Sequence, residues 1–336
     1  MKKVYISFLL LLFCIAQLAA QSDSQISQHT FFSSAFNPAA VGQSGMIQAI
    51  AMNRMDFFTM ENGVNTTNVG VNMPFTMGGI SHGAGIRFVN KTSGSLWTYQ
   101  HAYLQYAFVR STPIGNFRLG VDFGFVSSQI DGSQAIARPE IPGGDGDDFH
   151  QDDDPRVPRV MISGMKFDIG FGMMYTFNRG YVGLSMTNAT RPTIVLDGDG
   201  VGDLVWNDTI QPALHLHGAY SIRIPDTNWT LKPHSLMRTN FIVHELGVGA
   251  LMIFDERFWG GLSTRFGITA GGMAGFNTFG VTAGMNIAGG LSAGIAYDLP
   301  TSRLIHSVGS AELFIAYNFE FVRNRHNRRH KSIRIL

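Results

Sequence analysis

The chain has 336 residues, a formal net charge of +1, and only 15% charged residues, against 26 Phe and 39 Gly. That charge content is well below the roughly 25% of an average soluble domain, and the near-neutral balance gives no electrostatic reason to expect nucleic acid. After the first twenty residues no apolar run approaches the roughly 18 residues of a membrane helix, and neither a phosphate loop nor a zinc-type Cys/His cluster is present.

Residues 1–20 read as a secretory signal: Lys2 and Lys3, an apolar run over 6–15, then Leu18-Ala19-Ala20, with cleavage after Ala20 leaving Gln21 first. Cys14, the single cysteine, lies inside the apolar run. A lipoprotein site there is disfavoured because the bulky Phe13 precedes it, so the mature chain carries neither a disulfide nor a thiol. Residues 21–45 form a polar, mixed leader, interrupted by Asn37-Pro38, that serves as a linker or tucks into a lumen.

From residue 46 the chain alternates. In Asn116 to Ser127, Phe117, Leu119, Val121, Phe123 and Phe125 fall on one face, and Asn116, Arg118, Gly120, Asp122 and Gly124 on the other. Only a strand separates those sets. The same pattern predicts strands over 46–58, 66–75, 81–92, 97–110, 116–127, 165–177, 181–186, 212–224, 229–238, 241–254, 258–265, 279–287, 291–298 and 311–321. Residues 270–276 are a weak strand or re-entrant piece, left out of the count. About fourteen strands, large and apolar on one face and small or polar on the other, predict an all-β transmembrane antiparallel barrel over 46–321. Short turns at 78–79, 113–115, 178–180, 225–228, 255–257 and 288–290 alternate with connections that include two long polar loops, 129–163 and 188–211. This asymmetry places the short turns in the periplasm and the long loops outside. Trp97, Tyr99, Tyr103 and Tyr106 are candidates for an interfacial aromatic girdle.

Short motifs at both ends of the chain carry a resemblance. Near the start stand Asp23-Ser24-Gln25-Ile26-Ser27-Gln28-His29, then Asn37-Pro38-Ala39-Ala40-Val41-Gly42, then Asn53-Arg54. Later come Trp259-Gly260-Gly261-Leu262-Ser263-Thr264-Arg265, Ala296-Tyr297-Asp298 and Glu312-Leu313. Together they resemble the PorP/SprF family of outer-membrane proteins from the Bacteroidota type IX secretion and gliding-motility machinery. That family opens D-x-x-F-S-Q-Y, continues with N-P-A-Y-A-G and R-N-Q-W, and later carries F/W-x-G-L-S-x-R, Y-x-Y-D and His-Glu-Leu. Here Ile26 replaces the Phe, Ala40-Val41 replaces Tyr-Ala, and Met55-Asp56-Phe57 stands where Asn-Gln-Trp is usual, as in a divergent member. The motif residues carried over are Asn37, Pro38, Ala39, Gly42, Arg54, Trp259, Gly261, Arg265 and Asp298.

The resemblance implies a non-enzymatic, integral outer-membrane component that docks secreted cargo or a surface adhesin. It also implies periplasmic partners, a ring lipoprotein and peptidoglycan-binding proteins. Cargo contact is expected at the outer loops, including Asp145, Asp147, Asp148, Asp152, Asp153 and Asp154. Machinery contact is expected at the turns and the basic tail 322–336, with Arg323, Arg325, Arg328 and Arg329. The alternative is a barrel of the fatty-acid-channel type that carries hydrophobic small molecules and is plugged by its leader; a plain porin is a third reading.

Candidates for chemistry are sparse. Inward-facing Arg118, Asp122, Lys166, Asp168, Lys232, His234, Arg238, Glu245, Arg265, Asp298 and Glu312 either line a channel or neutralise one another in a plugged lumen. Arg118/Asp122 set against Lys166/Asp168 is balanced in sign, which fits a plug. His215 and His217 share a strand face, with His234 the nearby third option for a metal. Asp197, Asp199 and Asp203 occupy positions one, three and seven of a Gly-rich loop, a partial calcium pattern; no other cofactor is suggested. Nothing in the spacing fixes a Ser-His-Asp nucleophile.

Overall fold

The computed structural model describes residues 25–57, 63–134, 160–196, 206–269, 274–301 and 309–320. Its strands are β1 (Ile47–Asp56), β2 (Val64–Met77), β3 (Ile80–Ser93), β4 (Trp97–Thr112), β5 (Gly115–Asp131) and β6 (Met161–Phe177). Then follow β7 (Gly180–Thr187), β8 (Thr193–Leu196), β9 (Trp206–Thr209), β10 (Ala213–Tyr220), β11 (Ile222–Arg223) and β12 (Trp229–Thr239). The last are β13 (Val243–Phe254), β14 (Phe258–Thr269), β15 (Ala274–Ile287), β16 (Leu291–Pro300) and β17 (Ser310–Phe319).

Fourteen of these close an antiparallel barrel, as the alternation predicts. Each pairs with its neighbours in chain order; β17 returns to β1, with Ile50 opposite Ala316, and β10 pairs with β12, with Leu216 opposite Met237. Closure removes the unpaired edges that a sheet cannot leave in hydrocarbon. β8 and β9 form a separate two-stranded hairpin, and β11 is a two-residue extension beside β12.

The outward face is apolar throughout the middle of the wall. Ile86, Phe123, Leu262 and Ile295 are 42–61% exposed, as lipid-facing side chains must be. Toward the short-turn end this band is bounded by aromatics: Tyr175, Phe177 and Tyr220 follow one another at 6.4 and 6.0 Å, Trp229 lies against Phe254 at 4.7 Å, and Tyr317 stacks on Phe319 at 5.4 Å. Toward the other end the outward face of β1–β4 turns polar. Asn53 Nδ2 donates to Asn65 Oδ1 at 2.7 Å and to Thr67 Oγ1 at 2.9 Å, and Gln100 Nε2 donates to Asn90 Oδ1 at 3.1 Å. With 14 to 17 residues, β2–β6 exceed the roughly 9–11 that span a bilayer, and this polar end is the surplus.

The girdle is therefore not the expected one. Tyr103 points inward, is 4% exposed and donates its hydroxyl to Asp168 Oδ2 at 2.7 Å. Trp97 and Tyr99 share its parity on β4 and stack on each other at 5.8 Å near the long-loop end. Tyr106 does face outward, where its hydroxyl meets His82 Nδ1 at 2.7 Å under Phe75 and Phe108.

Three further expectations are corrected. Ala274–Phe276 belong to the start of β15 and not to a separate weak piece, because the ladder with β14 continues past an irregularity between Phe266 and Ile268. The loop 188–211 is not a plain polar excursion: β8 and β9 fold inward, and Ile194, Leu196 and Ile210 pack with Tyr103, Val126, Ile130 and Ile162. Nor is the lumen uniformly polar, since Phe32, Phe36, Met52, Leu251, Trp259 and Phe314 form an apolar core inside the barrel.

Candidate functional site

That core exists because residues 25–45 lie inside the barrel. The segment descends from the long-loop half to the short-turn end and then enters β1. Residues 32–42 are all buried, in two short 3-10 turns, Ser33–Ala35 and Pro38–Ala40. An irregular backbone within a membrane protein must find partners for its polar groups, and the wall supplies them.

The upper anchor is built around Ser27. Arg54 on β1 and Glu312 on β17 are directly opposite in the ladder, and inward parity brings Asp298 on β16 and Arg265 on β14 to the same place. Arg54 Nη1 lies 2.8 Å from Asp298 Oδ2 and 3.4 Å from Glu312 Oε2, while its Nε donates to Asp56 Oδ1 at 2.8 Å. Arg265 Nη2 reaches Asp298 Oδ2 at 3.7 Å and Ser27 Oγ at 3.2 Å, and its Nη1 donates to Gln25 Oε1. Ser27 Oγ donates to Asp298 Oδ2 at 2.5 Å and accepts from Arg54 Nη1 at 2.7 Å. The Ser27 and Gln28 backbone amides donate to the two Glu312 carboxylate oxygens at 2.9 and 2.8 Å. Charges this deeply buried persist only when paired and hydrogen-bonded, which this cluster provides.

The lower anchor holds the Asn37-Pro38-Ala39 turn. Asn37 Oδ1 caps it by accepting from Ala39 N at 2.9 Å, and Asn37 Nδ2 reaches Met173 O at 3.3 Å and His217 Nε2 at 2.9 Å. Arg118 donates from Nε to Ala39 O at 2.6 Å and from Nη2 to Val41 O. Arg87 Nη1 donates to Ala35 O at 2.5 Å, Gln105 Nε2 to Ser34 O at 3.0 Å, and the Gly42 amide to Asn72 Oδ1 at 3.0 Å. Gly42 has φ +71° with the Met73 carbonyl 2.9 Å from where a Cβ would stand, so glycine is required there. The inward Gly120 is equally necessary, because a Cβ on it would overlap the Ala39 backbone.

Phe31 joins the two anchors through the apolar core, 4.9 Å from both Trp259 and Phe314. Gly261, two residues beyond Trp259 in β14, leaves space for Leu251 and the Ala250 carbonyl, each 2.6 Å from its would-be Cβ.

Most motif residues singled out in the sequence thus belong to the leader (Asn37, Pro38, Ala39 and Gly42) or face it from the wall (Arg54, Trp259, Arg265 and Asp298). The inward charges pair differently from expectation. Arg118 binds leader carbonyls; Asp122 lies 3.8 Å from Arg87; Asp168 accepts from Tyr103 and, at 2.5 Å, from Thr190 Oγ1; Arg238 meets Glu245 at 3.4 Å. Lys166 is exposed, although its cross-strand neighbour Val126 is fully buried. His215 and His217 do share an inward face, His217 is taken by Asn37, and among the described residues no His/Cys/Asp/Glu group suits a metal. Residues Asp145–Asp154, Asp197, Asp199, Asp203 and Arg323–Arg329 lie outside the described residues.

Sequence reasoning missed Arg87, Asn72, Gln105, Ser27 and Gln28 as anchors. Parity was the available signal for Arg87 and Asn72, which fall on the small face of their strands, whereas Gln105 shares its face with Trp97, Tyr99 and Tyr103.

A closed fourteen-strand barrel with a lipid-facing apolar band and a lumen filled by its own leader is an outer-membrane β-barrel. Over residues 18–317 the chain matches the family described as type IX secretion system membrane protein PorP/SprF, and it belongs to that family. No curated protein matches it. Among solved structures it is similar to the CymD monoaromatic hydrocarbon channel, at 7% identity and TM-score 0.50, covering 90% of this chain and 95% of that one. It is also similar to the outer membrane protein Omp33 of Acinetobacter baumannii, at 7% identity and TM-score 0.45, with 82% and 98% covered. The toluene transporter TodX of P. putida gives 10%, 0.46, 85% and 93%. At such identities the likeness is one of fold alone.

Proposed function

We propose that the protein is a non-enzymatic outer-membrane component of the type IX secretion system that docks secreted cargo or a surface adhesin outside and the periplasmic machinery inside. The observation that carries this reading is the filled lumen. Two anchors hold residues 25–45 across the barrel, so the molecule is built as a rigid platform whose two ends are its working surfaces. In this reading residues 1–20 are removed after Ala20. The long-loop end, with Asp145–Asp154, meets cargo, and Arg323, Arg325, Arg328 and Arg329 in the tail meet a ring lipoprotein or peptidoglycan-binding protein. Asp197, Asp199 and Asp203 bind calcium at the outer end, which isothermal titration of the purified barrel with calcium tests directly.

The deciding experiment is deletion of the gene, followed by mass spectrometry of secreted and surface proteins. Loss of many cargo proteins makes it a core component, and loss of one large adhesin makes it a dedicated accessory. Unchanged secretion with altered uptake of a hydrophobic solute sinks the docking reading in favour of a transport barrel. Removing residues 322–336 should abolish co-purification of the periplasmic partner while leaving the barrel assembled.

A further inference from the structure

Above the leader, at the long-loop end, the lumen opens into a cavity of about 410 Å³, within the usual range for small-ligand pockets. Its floor is the leader itself, through Ile26, Ala35 and Phe36, so the pocket exists only while the plug is seated.

The charged groups at this cavity are already engaged. Asp122 lies 3.8 Å from Arg87, and Glu245 lies 3.4 Å from Arg238. Tyr99 is hydrogen-bonded to the buried Asp208 of β9, and Lys91 has a partner of its own. An ionic ligand would have to break one of these arrangements, so the pocket suits an uncharged one. What remains to hydrogen-bond a ligand is amide. Asn68 on β2, 5% exposed, and Gln211, just before β10, both line the cavity, and neither side-chain amide bonds to a described residue. Each amide offers donors and an acceptor, and a buried one left without a partner costs about 1–3 kcal/mol.

One wall is flat and aromatic. Trp97 and Tyr99 on β4 stack with their planes 12° apart. Trp97 Nε1 donates to Ser128 Oγ at 3.0 Å, and the bond between Tyr99 and Asp208 holds the second ring. In the ladder Asn68 is opposite Val89, and Tyr99 is opposite Lys91, so the Asn68 amide and the aromatic wall are two strands apart, roughly 10 Å.

Fixed rings, an apolar floor and amides in want of both donors and acceptors fit a compact molecule with an apolar face and several hydroxyls. A flat hydrocarbon would cover the rings and strand the amides, and an open-chain polyol would meet the amides and leave the rings bare. We propose that this pocket binds an uncharged saccharide of one or two rings, the C–H face of one ring against Trp97 and Tyr99 and its hydroxyls at Asn68 and Gln211. The site lies above the plug, so binding needs no passage through the barrel. It stands independently of the secretion reading, because it is measured on the purified protein.

The test titrates the full chain with chitobiose, maltose, lactose and the open-chain polyol sorbitol, by calorimetry and by tryptophan fluorescence. The detergent is a polyoxyethylene ether, since glycoside detergents carry the group being tested. At least one disaccharide should bind with a Kd of about 1 mM or tighter, and sorbitol at least about tenfold more weakly. Asn68→Leu and Gln211→Leu, which remove the amides at similar volume, should each weaken that disaccharide about tenfold, the worth of one hydrogen bond. Trp97→Phe should keep the calorimetric signal and lose most of the fluorescence change. Circular dichroism and heat-modifiable gel mobility confirm that each variant is folded. The methyl glycoside of the bound disaccharide separates two sources of the same chemistry: equal binding assigns the end of a longer glycan, and lost binding assigns a free reducing sugar. Absence of binding by all three disaccharides, equal affinity for sorbitol, or binding unaffected by both leucine variants each overturns the proposal.

Discussion

Arg54 and Asp298 are 244 residues apart in the chain, and their side chains meet at 2.8 Å on either side of Ser27. Between them the ends of the barrel and the start of the chain are tied at one point. Removing one partner of a buried, hydrogen-bonded pair leaves the other charge without compensation, at a cost of about 3–5 kcal/mol. Arg54→Ala should lower stability by that order, read as the midpoint of urea unfolding in detergent. Arg54→Met combined with Glu312→Leu should lose less than the single change, since the second substitution removes a stranded carboxylate. An additive double variant would show that the three charges do not act together.

At Asn37 the expected effect is smaller and more local. Asn37→Ala removes the cap on the Pro38–Ala40 turn and the bonds to Met173 O and His217, groups that are buried together. Losses of about 1–3 kcal/mol follow for a buried network of this kind, and Asn37→Asp should recover only the capping part. Limited proteolysis should report new cuts within residues 25–45 before the wall itself yields. Cuts confined to the wall would mean that the turn is held without Asn37.

The contrast between Trp259 and Phe123 separates the inner core from the lipid face. Trp259 is 4% exposed against Phe31 and Phe314, and its truncation leaves a void that neither lipid nor a neighbouring side chain fills. Trp259→Ala should cost about 3–5 kcal/mol. Phe123 faces outward, 42% exposed, where acyl chains take the place of the ring, so Phe123→Ala should cost clearly less. Unfolding midpoints measured in the same bilayer decide it, and equal losses would contradict the assignment of the two faces.

How far the sequence reaches is visible in the same residues. Period-two alternation in β5 already places Phe123 outward and Asp122 inward, and repeating it yields the strand number, because parity is a local property of the chain. The same alternation puts Arg265 and Asp298 on the inner face. What parity cannot carry is height and azimuth around the barrel, which depend on register and closure. So Arg118 reads equally well as a partner of Asp168 or of the leader, and only the ladder places it beside Ala39 and Val41. Tyr103 misleads for a related reason: a tyrosine on a barrel strand suits an interface or a buried carboxylate, and the distinction rests on Asp168, 65 residues away. The hairpin of β8 and β9 is too short to announce itself against its polar loop.

The last expectation concerns whether the leader closes the barrel. Gly120 lies against the Ala39 backbone, and Gly172 against the Asn37 side chain, so the wall is thinned to glycine where the Asn37-Pro38-Ala39 turn sits. Gly120→Val puts side-chain atoms into space the turn occupies. Arg118 cannot then hold the Ala39 and Val41 carbonyls, and the segment is driven off its lower anchor. Gly260→Val is the matched control, since a Cβ there has its nearest neighbour, the Thr282 carbonyl, at 3.8 Å. In planar bilayers the parent and Gly260→Val should stay nearly silent, while Gly120→Val should show ion-conducting steps and faster proteolysis of residues 25–45. A Gly120→Val barrel as silent as its control would mean that the seal lies elsewhere along the leader, at the Arg54–Asp298 anchor, where Arg54→Ala should then conduct instead.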